Sequence, residues 1–250
     1  PRIVEAVADY YRAIPTKLPH KIKADEMVRT FLSRIVTIAD ELDQLEAAVS
    51  TLVAPGGTQY NALGATISLL SPSEQVYDAL VSYITTGVDK RQFCLDDIFR
   101  VEIPDERERY KTLGAPIGNV RCLIHATKTY YVRHILKSGF KVPTGGSHLM
   151  FGYGVYHASE TAKSLGYAAK RGYNGPNIMF LSDVALGKHY EAPEALKNIS
   201  HPPAGYDSVM GVARKTRTGG WNGSSTLNHD EFIVYTPQQQ TIRYLVTFNR

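Results

Sequence analysis

The sequence has few of the features that mark secreted or membrane-spanning chains. It contains only two cysteines, Cys94 and Cys122, in 250 residues, and a disulfide framework or a cysteine-based zinc site needs more. We therefore expect reduced and largely buried thiols. No apolar run approaches the length that spans a bilayer, and the first residues predict a helix without a secretory pattern. These absences leave a globular domain that does not cross a membrane.

The chain also lacks a dense cluster of one charge. Its formal net charge is +4 and its pI is about 8.9, whereas a nucleic-acid-binding module carries a Lys/Arg stripe on one face. Such a module therefore stays a disfavoured alternative. Tyrosine is abundant, with 16 residues against one tryptophan. Tyrosines suit a cleft with apolar walls and a wet mouth, although strands favour them as well.

Periodicity divides the chain into two parts. Residues 3–50 have helical spacing, and the turn at 54–58 ends them, so we predict a small all-α subdomain over 1–57. Residues 58–250 consist of short alternating segments, which predict an α+β domain with a largely antiparallel sheet. We predict strands at 65–69, 97–103, 120–125, 178–186, 231–235 and 242–248, helices at 73–85 (capped by Ser73), 129–138 and 161–170, and a surface loop at 214–228.

Three of the strand-like segments contain the chemistry. They are Leu123–Thr127, Met150–Ala158 and Asp230–Tyr235, and they supply a histidine, a tyrosine and a glutamate. Such a set suits a site that holds a flat aromatic group and a sugar beside a carboxylate. Each residue also has a simpler interpretation: His125 as a core histidine bonded to backbone, and Glu231 as an exposed strand residue near Arg243.

These segments, together with others in a fixed order, resemble the catalytic domain of the poly(ADP-ribose) polymerases, the H-Y-E branch of ADP-ribosyltransferases. The others are Asp97–Glu102, Arg109–Lys111, Val184–Glu191 and Tyr206–Val209. The resemblance runs from about residue 67 to 249, and residues 10–49 resemble the second half of the family's regulatory helical subdomain. It implies an ADP-ribosyltransferase domain that cleaves NAD to nicotinamide, transfers ADP-ribose to protein acceptors, itself included, and elongates poly(ADP-ribose).

The resemblance also implies a role for each site residue. Glu231 would stabilise the positive charge that develops on the ribose and polarise the acceptor, His125 would bond a ribose hydroxyl, and Tyr156 and Tyr167 would sandwich the nicotinamide ring. NAD would be a consumed substrate, without a separate cofactor or a metal. The other NAD-binding positions that it implies are Ala126, Thr127, Lys141, Gly152, Gly154 and Ser164, the last of which would bond the carboxamide.

Two departures from the family pattern bear on function. Ala126 stands where the family usually has glycine, so we expect its methyl to crowd the nicotinamide pocket, with a further cost if the backbone there needs positive φ. His229 and Asp230 differ from the Tyr-Asn pair often found before the glutamate, which bears on acceptor handling and chain branching.

Two alternatives to a polymerase remain open. One is a mono-ADP-ribosyltransferase, and the other is a silent module that binds NAD or ADP-ribose without releasing nicotinamide. The resemblance further implies an intracellular protein, nuclear in a eukaryote or cytoplasmic in a bacterium. A role in the DNA damage response would involve DNA sensing through flanking domains outside this chain. The sequence identifies neither the acceptor nor the oligomeric state.

Overall fold

The computed structural model of the chain describes residues 63–89, 91, 93–144, 149–168, 177–214, 223 and 225–249. The predicted helical subdomain, 1–57, and its boundary with the catalytic domain lie outside the described residues. So do parts of the predicted loop at 214–228 and the end of the predicted helix at 161–170.

The described residues form a nine-stranded sheet. Its strands, in chain order, are β1 (Thr66–Leu69), β2 (Cys94–Glu102), β3 (Val120–Thr127), β4 (Val155–Ala158), β5 (Asn177–Ala185), β6 (His189–Ala192), β7 (Ser208–Gly211), β8 (Glu231–Val234) and β9 (Gln240–Asn249). Across the sheet they lie in the order β1-β2-β9-β5-β3-β4-β8-β7-β6. Among these pairs β6 and β7 run parallel and the others antiparallel, which confirms the predicted α+β class.

Four α-helices of the described region accompany the sheet: α1 (Tyr77–Thr85), α2 (Pro104–Arg109), α3 (Thr129–Ser138) and α4 (Thr161–Ser164). The bounds of α3 are those predicted. A π-helical turn, Tyr110–Gly114, follows α2, and a 3-10 turn, Leu165–Tyr167, follows α4. The α-helix that was predicted over 161–170 is therefore only one turn long, and it continues as the 3-10 turn.

The predicted cap at Ser73 was wrong. Helix α1 begins four residues later, after Val76, which makes no side-chain cap. Ser73 belongs to a polar turn instead: its hydroxyl lies 2.8 Å from that of Ser71, and the Ser71 amide donates to Glu74 Oε1 at 3.0 Å. Serine bonds neighbouring backbone and side chains in turns as readily as it caps helices, so residue type alone did not place the boundary.

Two apolar clusters lie against alternate residues of the central strand β5. Phe180 and Val184 belong to one cluster, and Met179 and Leu181 to the other. This alternation follows from the two-residue period of a strand. Opposite these residues, Leu181 pairs with Tyr244 but Ser182 pairs with Ile242, so a bulge shifts the register of β9. Both faces of β5 are thus covered, and the strands beside it are held firmly.

Two smaller expectations were also tested. Both cysteines are exposed and free, so the prediction of buried thiols was wrong. They lie on β2 and β3. Among the described residues, no helix is both long and apolar enough to cross a membrane.

Candidate active site

Strand order brings the three predicted segments together. Strand β4 lies between β3 and β8, and its Ala158 is opposite Ile124 on one side and Glu231 on the other. His125 follows Ile124 directly along β3. Residues 125 and 231, far apart in the chain, are therefore held on nearby strands by two antiparallel pairings. Two residues separate β4 from helix α4, which brings Lys163 and Ser164 to the same cavity.

A cavity of about 530 Å³ opens over these strands, a volume typical of small-molecule sites. Nine of the ten predicted site residues line it: His125, Ala126, Thr127, Lys141, Gly154, Tyr156, Ser164, Tyr167 and Glu231. Gly152 is the one that does not. Its φ is +72°, and a side chain there would collide with the backbone carbonyl of Ile199. Gly152 therefore serves the packing of the loop rather than the cavity wall.

Glu231 is buried and ion-paired, not exposed on the strand. Its Oε1 contacts the Nζ of Lys163, while Arg243 pairs with Asp183 at 2.5 Å elsewhere on the sheet. Burial lowers the pKa of Lys163, but the hydrogen bond and charge of Glu231 outweigh it, so the pKa is raised overall. Lys163 therefore stays cationic, and its ammonium also lies 5.6 Å from the Tyr167 ring. The pair engages one carboxylate oxygen, Oε1.

His125 has one ring nitrogen engaged. Nδ1 lies 2.8 Å from the carbonyl oxygen of Tyr156, and because a carbonyl only accepts, Nδ1 must be the protonated nitrogen. Burial lowers the pKa of His125, partly opposed by this bond. The imidazole is therefore neutral at neutral pH, and Nε2 is an acceptor for a hydroxyl of a bound ligand.

Tyr156 contributes its ring to the cavity and its hydroxyl to the fold. The hydroxyl accepts from the Phe151 amide at 2.8 Å and donates to the Gly152 carbonyl at 2.9 Å. Burial raises the pKa of Tyr156, so the phenol stays protonated. Tyr235 holds the same loop by donating to the Phe151 carbonyl at 2.6 Å. The glycine-rich loop is thus fixed from two sides, and the flat face of Tyr156 is what remains for a ligand.

Tyr167 is largely exposed, whereas Ala126 is buried within a strand. Tyr167 is 58% exposed, as expected for an aromatic wall that a flat ligand would cover. Ala126 is buried and lies within β3, paired with Met179 of β5. Among described non-glycine residues, positive φ occurs at Asn119 and Asn198. Ala126 therefore carries no strain from its backbone, and only the volume of its methyl remains as an effect.

Sequence reasoning missed several residues of the cavity. Lys163 was the most important, since only the structure shows its ion pair with Glu231. Tyr131, His134 and Ile135 line the wall that α3 provides. Their spacing, i, i+3 and i+4, is that of one helix face and could have indicated them. His157 also lines the cavity, and no sequence signal indicated it.

The residues before Glu231 are both engaged. His229 Nδ1 lies 3.0 Å from Glu160 Oε2, and Glu160 is the residue that precedes α4. Asp230 Oδ1 accepts from the Ala213 amide at 2.8 Å. The loop entering β8 is thus tied to α4 on one side and to the end of β7 on the other. Each of the two side chains thus has one polar atom engaged by a neighbouring residue.

Comparison with known proteins gives a consistent result. Residues 75–250 match the family model of the poly(ADP-ribose) polymerase catalytic domain. The chain is 27% identical to human protein mono-ADP-ribosyltransferase PARP3, over 97% of this chain and 52% of that protein. It is 26% identical to mouse protein mono-ADP-ribosyltransferase PARP4, over 99% and 13%, and 24% identical to Arabidopsis thaliana poly [ADP-ribose] polymerase 1, over 98% and 28%. The chain spans about half the length of the first of these relatives, and less of the others.

Proposed function

The chain belongs to the poly(ADP-ribose) polymerase catalytic-domain family of NAD-dependent ADP-ribosyltransferases, and from that premise we propose that it transfers ADP-ribose from NAD to protein acceptors. The observation that supports this most directly is the buried Glu231 carboxylate, held by Lys163, in the same cavity as His125 and Tyr156. A fixed negative charge in a partly dry cavity is the group that a developing ribosyl cation requires.

In the proposed reaction, His125 and the two tyrosines bind NAD, and Glu231 acts on the acceptor. The Nε2 of His125 accepts a hydrogen bond from a ribose hydroxyl, and the rings of Tyr156 and Tyr167 enclose the nicotinamide. The carbon–nitrogen bond to nicotinamide breaks, and its electron pair leaves with the nicotinamide. The ribose carbon then bonds to an oxygen of the acceptor, whose proton Glu231 takes up. We assign this step to Oε2 of Glu231, since Oε1 is engaged by Lys163.

We assign the remaining predicted residues to NAD binding. Thr127 and Lys141 lie on the wall near α3 and would meet the adenosine half, while Ser164, on α4, would bond the carboxamide. In this proposal NAD is a substrate that is consumed and not a resident cofactor. The family also leads us to propose an intracellular address, and any sensing of DNA would come from other domains.

Elongation of poly(ADP-ribose) is the finer part of the proposal, and Glu231 supports it, because family members limited to single transfer often lack this acid. Single transfer is the second candidate. One observation favours it: His229 is paired with Glu160, and Asp230 is bonded to the Ala213 amide. With both side chains engaged, the described residues beside Glu231 offer little to hold the end of a growing chain.

Incubation with labelled NAD tests these statements. Release of nicotinamide together with a label on protein supports transfer, and the length of the attached product separates polymer from single units. Nicotinamide release without protein label would indicate hydrolysis alone. Stabilisation by NAD without any release would indicate the silent binding module and would refute the proposed activity.

A further inference from the structure

A buried polar pair connects the cavity wall to β9, and the proposed reaction does not use it. His157 of β4 and Gln240 at the start of β9 are 2% and 0% exposed. His157 Nε2 lies 2.5 Å from Gln240 Oε1. An amide oxygen only accepts, so Nε2 carries the proton and Nδ1 does not. Nδ1 of His157 and Nε2 of Gln240 have no hydrogen-bond partner among the residues that the structure describes.

This pair is unfavourable for stability. Each buried polar atom without a partner costs about 1–3 kcal/mol, and the pair leaves two. Burial lowers the pKa of His157 to about 3, so the ring is neutral and gains nothing from an ion pair. Apolar side chains at both positions would fill similar space without these costs. A function other than stabilisation would explain why imidazole is present at this position.

The position of His157 along β4 suggests that function. His157 directly follows Tyr156, and the carbonyl that accepts the Nδ1 proton of His125 belongs to the peptide unit joining these two residues. The rings of His125 and His157 lie 5.8 Å apart at 65°. Phe140 packs edge-on against both, with centroid distances of 4.7 and 5.7 Å. His157 is thus connected to His125 in two ways: through the peptide whose carbonyl binds His125, and through the packing of the two rings against Phe140.

We propose that His157, anchored by Gln240, is a positioning residue that fixes the plane of the Tyr156–His157 peptide and so holds His125 in one orientation and one tautomer. Gln240 connects His157 to β9. On the other side of the same peptide, the hydroxyl of Tyr156 is bonded to the Gly152 carbonyl. The step from His125 to the ribose of NAD rests on the proposed function. The support of His125 by His157 does not.

The variants that test this are His157→Phe, Gln240→Met and the double variant. The matched control is Ser182→Ala, which removes the hydroxyl of a completely buried serine on β5 that also has no partner among the described residues. The readouts are KM for NAD, kcat for nicotinamide release, the free energy of unfolding, and the exchange rate of the His125 Nδ1 proton measured by NMR on the NAD-free protein.

We expect His157→Phe to raise KM for NAD roughly 2- to 10-fold, the effect of loosening one hydrogen bond, with kcat little changed. The Nδ1 proton of His125 should exchange several-fold faster. Stability should fall in His157→Phe, because Phe leaves the buried Gln240 amide without a partner, and it should recover in the double variant. Gln240→Met should act in the same direction, and the double variant should be no worse than His157→Phe alone, because both act through one contact. Ser182→Ala should leave KM and proton exchange unchanged.

Unchanged KM and unchanged proton exchange in His157→Phe would overturn the proposal. If that variant does not fold, Gln240→Met decides in the same way, because it removes the anchor and leaves the ring. A parent protein that releases no nicotinamide would refute the proposed function only, since proton exchange at His125 still reports the positioning.

Discussion

Replacing Glu231 by glutamine separates the two tasks that the structure gives this carboxylate. Glutamine keeps the shape and removes the charge. If Glu231 stabilises the ribosyl cation, the rate of nicotinamide release should fall about 10²–10³-fold, as for loss of a preorganised electrostatic group. NAD affinity should change little, because the aromatic walls and His125 remain. Any polymer formation should be lost together with the rate.

The same substitution also breaks an ion pair. Removing one partner of a fully buried pair costs about 3–5 kcal/mol. The side chain of Lys163 is 20% exposed, whereas that of Glu231 is 8% exposed. The ammonium can therefore reach water when its partner is gone, and we expect a smaller loss of about 1–2 kcal/mol. Because this loss leaves the domain folded, it would not by itself explain a 10²-fold change in rate.

A second substitution tests that distinction. Adding Lys163→Met to Glu231→Gln removes the unpaired ammonium, so most of the lost stability should return while the rate stays low. Asp183→Asn is the matched control, since it breaks the comparable Asp183–Arg243 pair away from the cavity. The control should lose stability and keep its rate. The assays are urea unfolding and nicotinamide release at equal folded concentration. Recovery of the rate together with stability in the double variant would refute a catalytic role for the charge.

Three further predictions concern the rest of the cavity. His125→Ala and Tyr167→Ala should each weaken NAD binding without unfolding the domain. For Tyr167→Ala, the lost stacking should cost about 0.5–1.5 kcal/mol beyond the lost contact area. Calorimetry measures the NAD affinity and circular dichroism the fold, and a variant that binds NAD as tightly as the wild type would contradict the assignment. Ala126→Gly should keep activity and tighten benzamide-type inhibitors; a several-fold weaker inhibition constant would show that the methyl packs productively. Burial lowers the pKa of His157 from 6.5 to about 3, so between these values the unfolded chain binds a proton that the folded chain excludes, and stability falls as the pH falls. This group should cost about 2 kcal/mol by pH 5, measured by urea unfolding at pH 7.5 and 5, and His157→Phe should lose correspondingly less.

The strands were predictable because their alternation is local. Strands β3, β5, β8 and β9 each lie within three residues of the predicted bounds. The segment containing β4 was described as strand-like but was given no strand bounds, since its four residues follow a glycine-rich loop and are too few to show a period. The parallel strand β6 was missed for a similar reason, because it pairs with β7 from a distant segment. Its four residues make no pattern without that partner.

Site residues were identified by resemblance, and their contacts could not be read from the sequence. The ion pair of Lys163 and Glu231 joins residues 68 positions apart, and the bond of His157 to Gln240 joins residues 83 apart. Such contacts depend on strand order and register, which local propensity does not determine. The simpler interpretation placed Glu231 near Arg243, but β9 lies four places from β8 in the sheet. Arg243 pairs with Asp183 of the adjacent β5 instead.

The half of the cavity around His125 and the half around Glu231 are held in place by different kinds of contact. This difference indicates which property a substitution in each half should change. His125 lies on β3, between β5 and β4, and its tautomer is set by a backbone carbonyl. Glu231 is the first residue of β8, and its partner Lys163 lies on a four-residue helix. The charged half therefore depends on side-chain pairs, including His229 with Glu160, that also hold its short elements together. Changes behind His125 should alter NAD binding first, whereas changes around α4 should alter the rate of transfer first.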